Sequence, residues 1–376
     1  MTLKIKALPA GDGDCLLISY QKKNILVDGG RVNKHTIRYL RRELEAIRKR
    51  NEKIDLLIIT HIDNDHIEGV LAIFEMNICR EIIQKVLFNT GKMIANFFNT
   101  ELESERDTPI SLIDQKVGVE QGNSLEKELI KYEIMPEKII KQGDIESLEN
   151  ASLKILSPNI QGLVNLNEKW EVEIDYEEDV QVCKTDKKHD YLNSIRELAS
   201  NKFIPDTSKV NASSIAFLFE YQGKKLLLLG DAHSSVVTEG LQKLGYNREN
   251  KLKVDIVKVS HHGSRRNTNN DLLELIDCSN FIISTDGGRN ARALPDKEAL
   301  SRIITLMNKP VQQEVTESQE EKESVNQEAV ESQGKEKTVN FYFNYHIYDG
   351  IFSPEELHEY KICLHNLEKN NFVLEV

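Results

Sequence analysis

The run Thr60-His61-Ile62-Asp63-Asn64-Asp65-His66 constrains this chain more than any other feature. It follows Asp55–Thr60 (DLLIIT), an almost wholly apolar stretch that reads as a strand buried on both faces. A strand end followed by a loop can gather His61, Asp63, Asp65 and His66 around one point. Imidazole and carboxylate are the donors that borderline and hard divalent ions take. The plain alternative is a solvated polar loop. Two later strands end in a similar way: Lys225–Leu229 runs into Gly230-Asp231-Ala232-His233, and Val254–Val259 into Ser260-His261-His262-Gly263-Ser264. Gly11-Asp12-Gly13-Asp14 precedes one predicted strand, and Asp28-Gly29-Gly30 follows another. Open α/β sheets build sites at the carboxyl ends of strands. A lone Gly-Asp carries no information, whereas these placements in this order point to one shared site.

Length and composition set the outer bounds. A chain of 376 residues holds two or three domains, or one large α/β unit with insertions. With 39% hydrophobic and 29% charged residues, most of it should be globular. The net charge of -12 argues against a non-specific nucleic-acid coat protein. It leaves room for a nuclease whose ions meet phosphate locally. No apolar run reaches the roughly 18 to 20 residues of a membrane span, so no membrane partner is expected. The start lacks the apolar core of an export signal. Cys15, Cys79, Cys183, Cys278 and Cys363 are odd in number and form no CxxC pair, which predicts a reducing, cytoplasmic setting.

The patterning predicts a hairpin from Cys15–Tyr20 and Asn24–Val27, a helix over Thr36–Glu52, and a further helix over Val70–Met76. Residues 80–210 read as an elaborated insertion. Strands return at Ser214–Glu220, Lys225–Leu229, Val254–Val259 and Phe281–Ser284, with helices at Asn270–Ile276 and Pro295–Met307. Residues 311–338, rich in Glu, Gln, Ser and Lys without an aromatic residue, predict an acidic disordered linker. Residues 339–376 then return to the core, with strands Phe341–Tyr348 and Phe372–Val376 around a helix near Glu355–Leu367.

In combination these motifs resemble the metallo-β-lactamase fold hydrolases. The nearest branch is the soluble hydrolase domain of ComEC-type DNA-uptake proteins and its free-standing relatives. The resemblance is carried by Gly11–Asp14, Leu26–Gly30, Thr60–His66, Asn211–Ser214, Gly230-Asp231 and His261–Ser264, over about residues 1–308. It implies an α/β fold, a four-layer αββα metallo-β-lactamase-like sandwich with a large insertion and metals at one edge. By position it implies His61, Asp63, Asp65, His66, Asp231 and His261 as metal ligands, with Asp231 bridging. One or two zinc ions are expected, and the carboxylate-rich set adds manganese or magnesium as candidates. Asp63, Asp65 and His262 become the catalytic candidates, and His261 and His262 could exchange roles. Asp28 matches a carboxylate that orients a ligand histidine, and Asp14, Asn211, His233 and Arg265 are candidate neighbours of the site or of substrate.

The implied reaction is metal-assisted hydrolysis, with nucleic acid or a nucleotide phosphodiester as first choice of substrate. A peptidase or another ester or amide hydrolase is the alternative. A third reading is a non-enzymatic metal-binding subunit of a bacterial conflict or antiviral system, working with a protein partner. Three departures stand out. Asp63 occupies a position where the wider superfamily has histidine. His189 is the sole histidine between the metal loop and Asp231. Leu294-Pro295 stands where relatives often have His-Pro.

Overall fold

The computed structural model describes residues 2–76, 79–99, 116–171, 189–288, 293–308 and 337–376. The first strands are β1 (Lys4–Ala7), β2 (Leu16–Tyr20), β3 (Lys23–Val27), β4 (Leu56–Ile58) and β5 (Val86–Leu87). Then come β6 (Ile145–Leu148), β7 (Ala151–Ser157), β8 (Ala216–Tyr221), β9 (Lys224–Leu228), β10 (Leu252–Lys253) and β11 (Ile256–Lys258). The last are β12 (Ile276–Asp277), β13 (Asn280–Ile283), β14 (Val339–Phe343), β15 (Ile362–Asn366) and β16 (Val373–Glu375). One sheet runs β16-β1-β2-β3-β4-β5 and the other β15-β14-β13-β11-β9-β8-β7-β6, while β10 and β12 form a small separate pair. Each large sheet begins antiparallel and turns parallel. β1, β2 and β3 are antiparallel neighbours, after which β3, β4 and β5 run parallel. β7, β8 and β9 repeat the pattern before the parallel β9, β11 and β13.

Side-chain alternation builds four layers from this order. On β8, Phe217, Phe219 and Tyr221 join the core shared with the first sheet, while Ala216 and Leu218 join a second core on the opposite face. On β9, Leu226 and Leu228 face the first core, and Leu227 faces the second. Tyr20 of β2 crosses to meet Phe219 and Tyr221, with ring centroids 5.5 and 4.7 Å apart. Period-two alternation with both faces apolar is what a sheet covered on both sides requires. The outer cover of the first sheet includes the helix Lys34–Lys49, which buries Leu40, Leu44 and Ile47 and is capped by the Asn33 side chain. The second sheet is covered by Ser234–Lys243 and Lys297–Met307. The αββα order that the resemblance implies is the order found.

Residues between 80 and 210 supply strands to both sheets: β5 lies beside β4, and β6 and β7 extend the second sheet past β8. Residues 339–376 add β14 and β15 beside β13, and β16 beside β1. The region Glu355–Leu367 is a helix only over Pro354–Glu359, because Ile362–Asn366 pairs with β14 in parallel as β15. The ladder overrides the local helical signal. Asn270–Ile276 likewise stops as a helix at Leu273, and Ile276 begins β12. The acidic stretch 311–338, save its last two residues, and most of Trp170–Lys188 lie outside the described residues. Among the described residues no helix is long and apolar enough to cross a membrane.

The parallel strands β3, β4, β9, β11 and β13 send Asp28, Thr60-His61, Asp231, His261-His262 and Ser284 to one edge. The helix after β4 starts at Asn64, well before the apolar run that predicted it, so Asp65 and His66 occupy its first turn. An acidic residue in a first turn suits the positive end of the helix dipole. That helix lies against the Asp28-Gly29-Gly30 turn, with the Gly29 amide donating to His66 O at 2.9 Å and the Gly69 amide to Gly30 O at 2.8 Å. A Cβ on Gly29 would lie 2.3 Å from Val70 N, which explains the glycine. The backbone approach brings His66 within reach of Asp28.

Candidate metal centre

Asp28 is fully buried and organises the first half of the site. Its Oδ1 accepts the Thr60 amide at 2.8 Å, and its Oδ2 accepts Thr60 Oγ1 at 2.7 Å. The same Oδ2 lies 2.8 Å from His66 Nδ1. Thr60 Oγ1, having given its proton to Asp28, is left to accept from His61 Nδ1 at 2.9 Å. One carboxylate and one hydroxyl therefore place the hydrogen of both imidazoles on Nδ1 and leave both Nε2 lone pairs outward.

The second half comes from β9, β11 and β13. Gly230-Asp231 is fixed by Ser214 Oγ, which accepts the Asp231 amide at 3.0 Å. After β11 the backbone is left-handed at three consecutive residues, His261 (φ 47), His262 (φ 54) and Gly263 (φ 88). This turn aims two adjacent rings, nearly perpendicular at 81°, at the same region. His262 Nδ1 donates to Ser284 O at 2.8 Å, and His261 Nδ1 donates to Asn267 Oδ1 at 3.0 Å. All four histidines thus use Nδ1 for support and turn Nε2 to Asp231.

The Nε2 atoms of His61, His261 and His262 lie 3.8, 3.8 and 3.6 Å from Asp231 Oδ2, and that of His66 lies 3.4 Å from Oδ1. Asp65 Oδ2 is 3.2 Å from His262 Nε2 and 3.8 Å from His66 Nε2. Asp63 caps the helix start without a side-chain cap bond, is 40% exposed, and reaches within 3.6 Å of His61 Nε2. The Nε2 atoms of His61, His66 and His262 and Asp231 Oδ1 are buried without a hydrogen-bond partner. Such orphans are costly in a protein interior unless something binds them. Donor atoms of His61, His66 and Asp231, and of Asp65, His66 and His262, form two compact groups that could each hold an ion. Two donors bound at about 2.1 Å in a tetrahedral arrangement stand about 3.4 Å apart, so the spacing fits a divalent cation.

Electrostatics agree with that fit. Burial opposes charge on His66 and His262, yet Asp231 raises both, His262 to about 10. Burial also disfavours charge on Asp231 and Asp65, but His66 and His262 hold both carboxylates well below their usual range. In the ion-free protein a proton therefore competes with a cation for the Nε2 lone pairs of His66 and His262, and ion affinity should rise with pH.

Asp14 lies behind His262, its Oδ1 3.5 Å from His262 Nδ1. Its other oxygen meets the Lys258 ammonium in a fully buried ion pair, and Lys258 also donates to Gly230 O at 3.2 Å. Burial would raise the Asp14 pKa, but Lys258 and His262 lower it to about 2.

The other candidates fall as follows. Of the adjacent histidines, His262 is the one that reaches Asp65 and His66. Asn211 donates to Asp206 at 2.7 Å and comes within 3.4 Å of His261 Nδ1. His233 lies 3.8 Å from Asp206. Arg265 has an exposed side chain, and its amide donates to Asp296 at 2.8 Å. Asp12 pairs with Arg31. His189 is exposed and stacks on Tyr191 at 4.4 Å. Pro295 packs against Gly263, so Leu294-Pro295 borders the histidine turn. Lys258, Ser284, Asn267 and Asp206 are absent from the motif reading. Lys258 alone left a trace, a lysine in an apolar strand at an inward position.

The family model described as Metallo-beta-lactamase superfamily matches residues 8–127, which include Asp14, Asp28 and all of Thr60–His66. The chain is similar to ComE operon protein 3 of Bacillus subtilis (strain 168), 21% identical over 307 residues. The similar stretch is 77% of this chain and 29% of that protein, so the chain spans under a third of that relative's length. Among solved structures it is similar to the metallo-β-lactamase fold protein YhfI from Bacillus subtilis, 8% identical, covering 100% of each chain at a TM-score of 0.41. It is also similar to CmlA, a diiron β-hydroxylase from Streptomyces venezuelae, 13% identical, covering 82% of this chain and 50% of that one at 0.40.

Proposed function

We propose that this chain, which matches the metallo-β-lactamase superfamily model over residues 8–127, is a metal-dependent hydrolase that cleaves phosphodiesters in a nucleotide or a single-stranded nucleic acid. The observation that carries the reading is the convergence of four Nε2 atoms on the Asp231 carboxylate, three of them buried and unpartnered. His61, Asp63 and Asp231 would hold one ion, and Asp65, His66, His262 and Asp231 another. Zinc, manganese and magnesium are the candidates. A divalent ion in such a set polarises the scissile group and acidifies a water.

The protein's own groups do the rest. Asp231 keeps both donor groups in one electrostatic unit. Asp28 and Thr60 hold His66 and His61 in the tautomer that leaves Nε2 free. Asp63, the most exposed member, stands where it can take a proton from an entering water. Three features favour a phosphodiester: the carboxylate-rich donor set, the exposed Arg265 two residues past the histidine turn, and Lys169, half-buried and close enough to Asp63 to feel its charge. A cytoplasmic setting accords with Cys15, Cys278 and Cys363 being free thiols.

Elemental analysis of purified protein, followed by a panel of nucleotide diesters, single-stranded DNA and RNA, carboxylic esters and peptides, tests this reading. Bound ions and phosphodiester cleavage that Asp231→Ala abolishes are expected. Cleavage of esters or peptides alone would move the assignment to that chemistry. Bound ions without any cleavage, together with a captured protein partner, would move it to a non-enzymatic subunit.

A further inference from the structure

A loop marked by no sequence motif reaches the centre beside His261. Residues 201–210 carry no regular secondary structure and link the helix Ile195–Ser200 to the short turn Asn211–Ser213. The loop is tied down where it matters, since the Asp206 amide donates to Arg266 O at 3.0 Å. The Asp206 side chain is 9% exposed. Its Oδ2 accepts Asn211 Nδ2 at 2.7 Å and Asn267 Nδ2 at 3.1 Å, and its Oδ1 accepts the Ser208 amide at 3.0 Å.

Asn267 is the link to the ions. Its amide nitrogen faces two acceptors, Asp206 Oδ2 and Asp231 O, the latter at 3.1 Å. That fixes which end of the amide is which, and its oxygen must then accept from His261 Nδ1 at 3.0 Å. Asp206 lies 3.5 Å from the same Nδ1, too far to be the main acceptor. It works by locking the two asparagine amides that bracket the ring. His261 is left with Nε2 toward Asp231 Oδ2, the oxygen that His61 and His262 also approach, so what sets it apart from His262 is its distance from Asp65. It makes no ion pair with Asp65, unlike His66 and His262.

We propose that Asp206 is a positioning residue which, through Asn267, presents His261 as the imidazole donor on the His61 side of Asp231. The interval from His66 to Asp231 offers no other histidine but His189, which is exposed on Tyr191. Asp28 holds His66 Nδ1 directly, whereas Asp206 reaches His261 through Asn267. The inference rests on the metal-dependent reading above.

The test uses the full chain and Co(II) alone as probe. Affinity, ions per chain and the visible ligand-field spectrum are read for wild type, Asp206→Asn, Asp206→Glu, His261→Ala and the double variant Asp206→Asn/His261→Ala. Loss of a residue that orients a ligand should weaken one ion by about 10–100-fold. Asp206→Asn should do so and alter the spectrum, Asp206→Glu should recover part of the loss, and the double variant should be no worse than His261→Ala. A Co(II) affinity and spectrum in Asp206→Asn equal to wild type would overturn the proposal, as would additive losses in the double variant. Ring-nitrogen resonances of His261 in the metal-free protein at alkaline pH give an independent arm. A single Nδ1–H tautomer in wild type and a mixture in Asp206→Asn are expected, and one unchanged tautomer counts against it. A wild type that takes up no Co(II) removes the hydrolase reading, and the resonances then decide the positioning role alone.

Discussion

His66 and His261 both turn Nε2 to Asp231, but the two are supported in opposite ways. His66 stands on the first turn of a helix, fully buried, and its partner Asp28 ends a strand and is itself held by Thr60. His261 is 25% exposed, and its support is a relay of Asn267, Asn211 and a loop carboxylate. The first side is built from regular elements whose backbone positions are fixed by ladders. The second is built from a loop, the kind of segment in which binding residues vary most readily over a constant scaffold. One half of the site is therefore framework, and the other half is adjustable.

The largest effect should come from the residue that both sides share. Asp231→Ala should remove the bound ions and lower activity by more than the roughly 10–100-fold typical of losing an orienting residue, as elemental analysis and turnover would show. If ions stay bound, the two sides are independent and the comparison fails. Next is the buried pair behind His262. Lys258→Met removes the closest counter-charge of the buried Asp14, leaving it His262 alone at 3.5 Å, and should cost about 3–5 kcal/mol in denaturant unfolding. A loss under ~1 kcal/mol would mean water reaches Asp14.

Smaller effects separate the two halves. Asp28→Ala leaves the Thr60 amide unsatisfied and should cost about 1–3 kcal/mol even without ions. Asp206→Asn, which keeps one acceptor oxygen for part of the loop's hydrogen bonds, should cost less than Asp28→Ala, and equal losses in both would erase the distinction. pH gives a further handle. The folded-state pKa of His262 is raised from 6.5 to about 10, so its stabilisation is complete below 6.5 and is lost as pH rises toward 10. The unfolding midpoint of chelator-treated protein should fall across that window, and the gain on adding ions should grow. A flat midpoint would show that His262 carries no extra proton. The smallest effect should be at His189, where alanine should change neither ion content nor stability beyond about 0.5 kcal/mol.

The candidate ligands on both sides were legible in the sequence, and little of what supports His261 was. Thr60–His66, Asp231 and His261-His262 each follow an apolar run, and a run of that kind names its own strand end. The strands of β8 and β9 announced themselves through unbroken apolar patterning, because both of their faces are covered. Lys258 could have been flagged, since alternation puts it on the side of Ile256 and a buried lysine needs a partner. Asp206, Asn267 and Ser284 could not. Ser284 Oγ meets Gly13 O, and its carbonyl supports His262, contacts that exist only once distant strands lie side by side. β15 was misread as helix because its pairing with β14 is likewise non-local.

The left-handed turn at His261-His262-Gly263 bears on how the pair should be deleted. A residue with a Cβ held in that region sacrifices roughly 1–2 kcal/mol, and glycine does not. Alanine at either position would keep the backbone penalty while discarding the ring, whereas glycine would discard both. A scan made with alanine alone would therefore confuse the worth of an imidazole with the discomfort of the main chain beneath it. Comparing His262→Gly with His262→Ala separates the two.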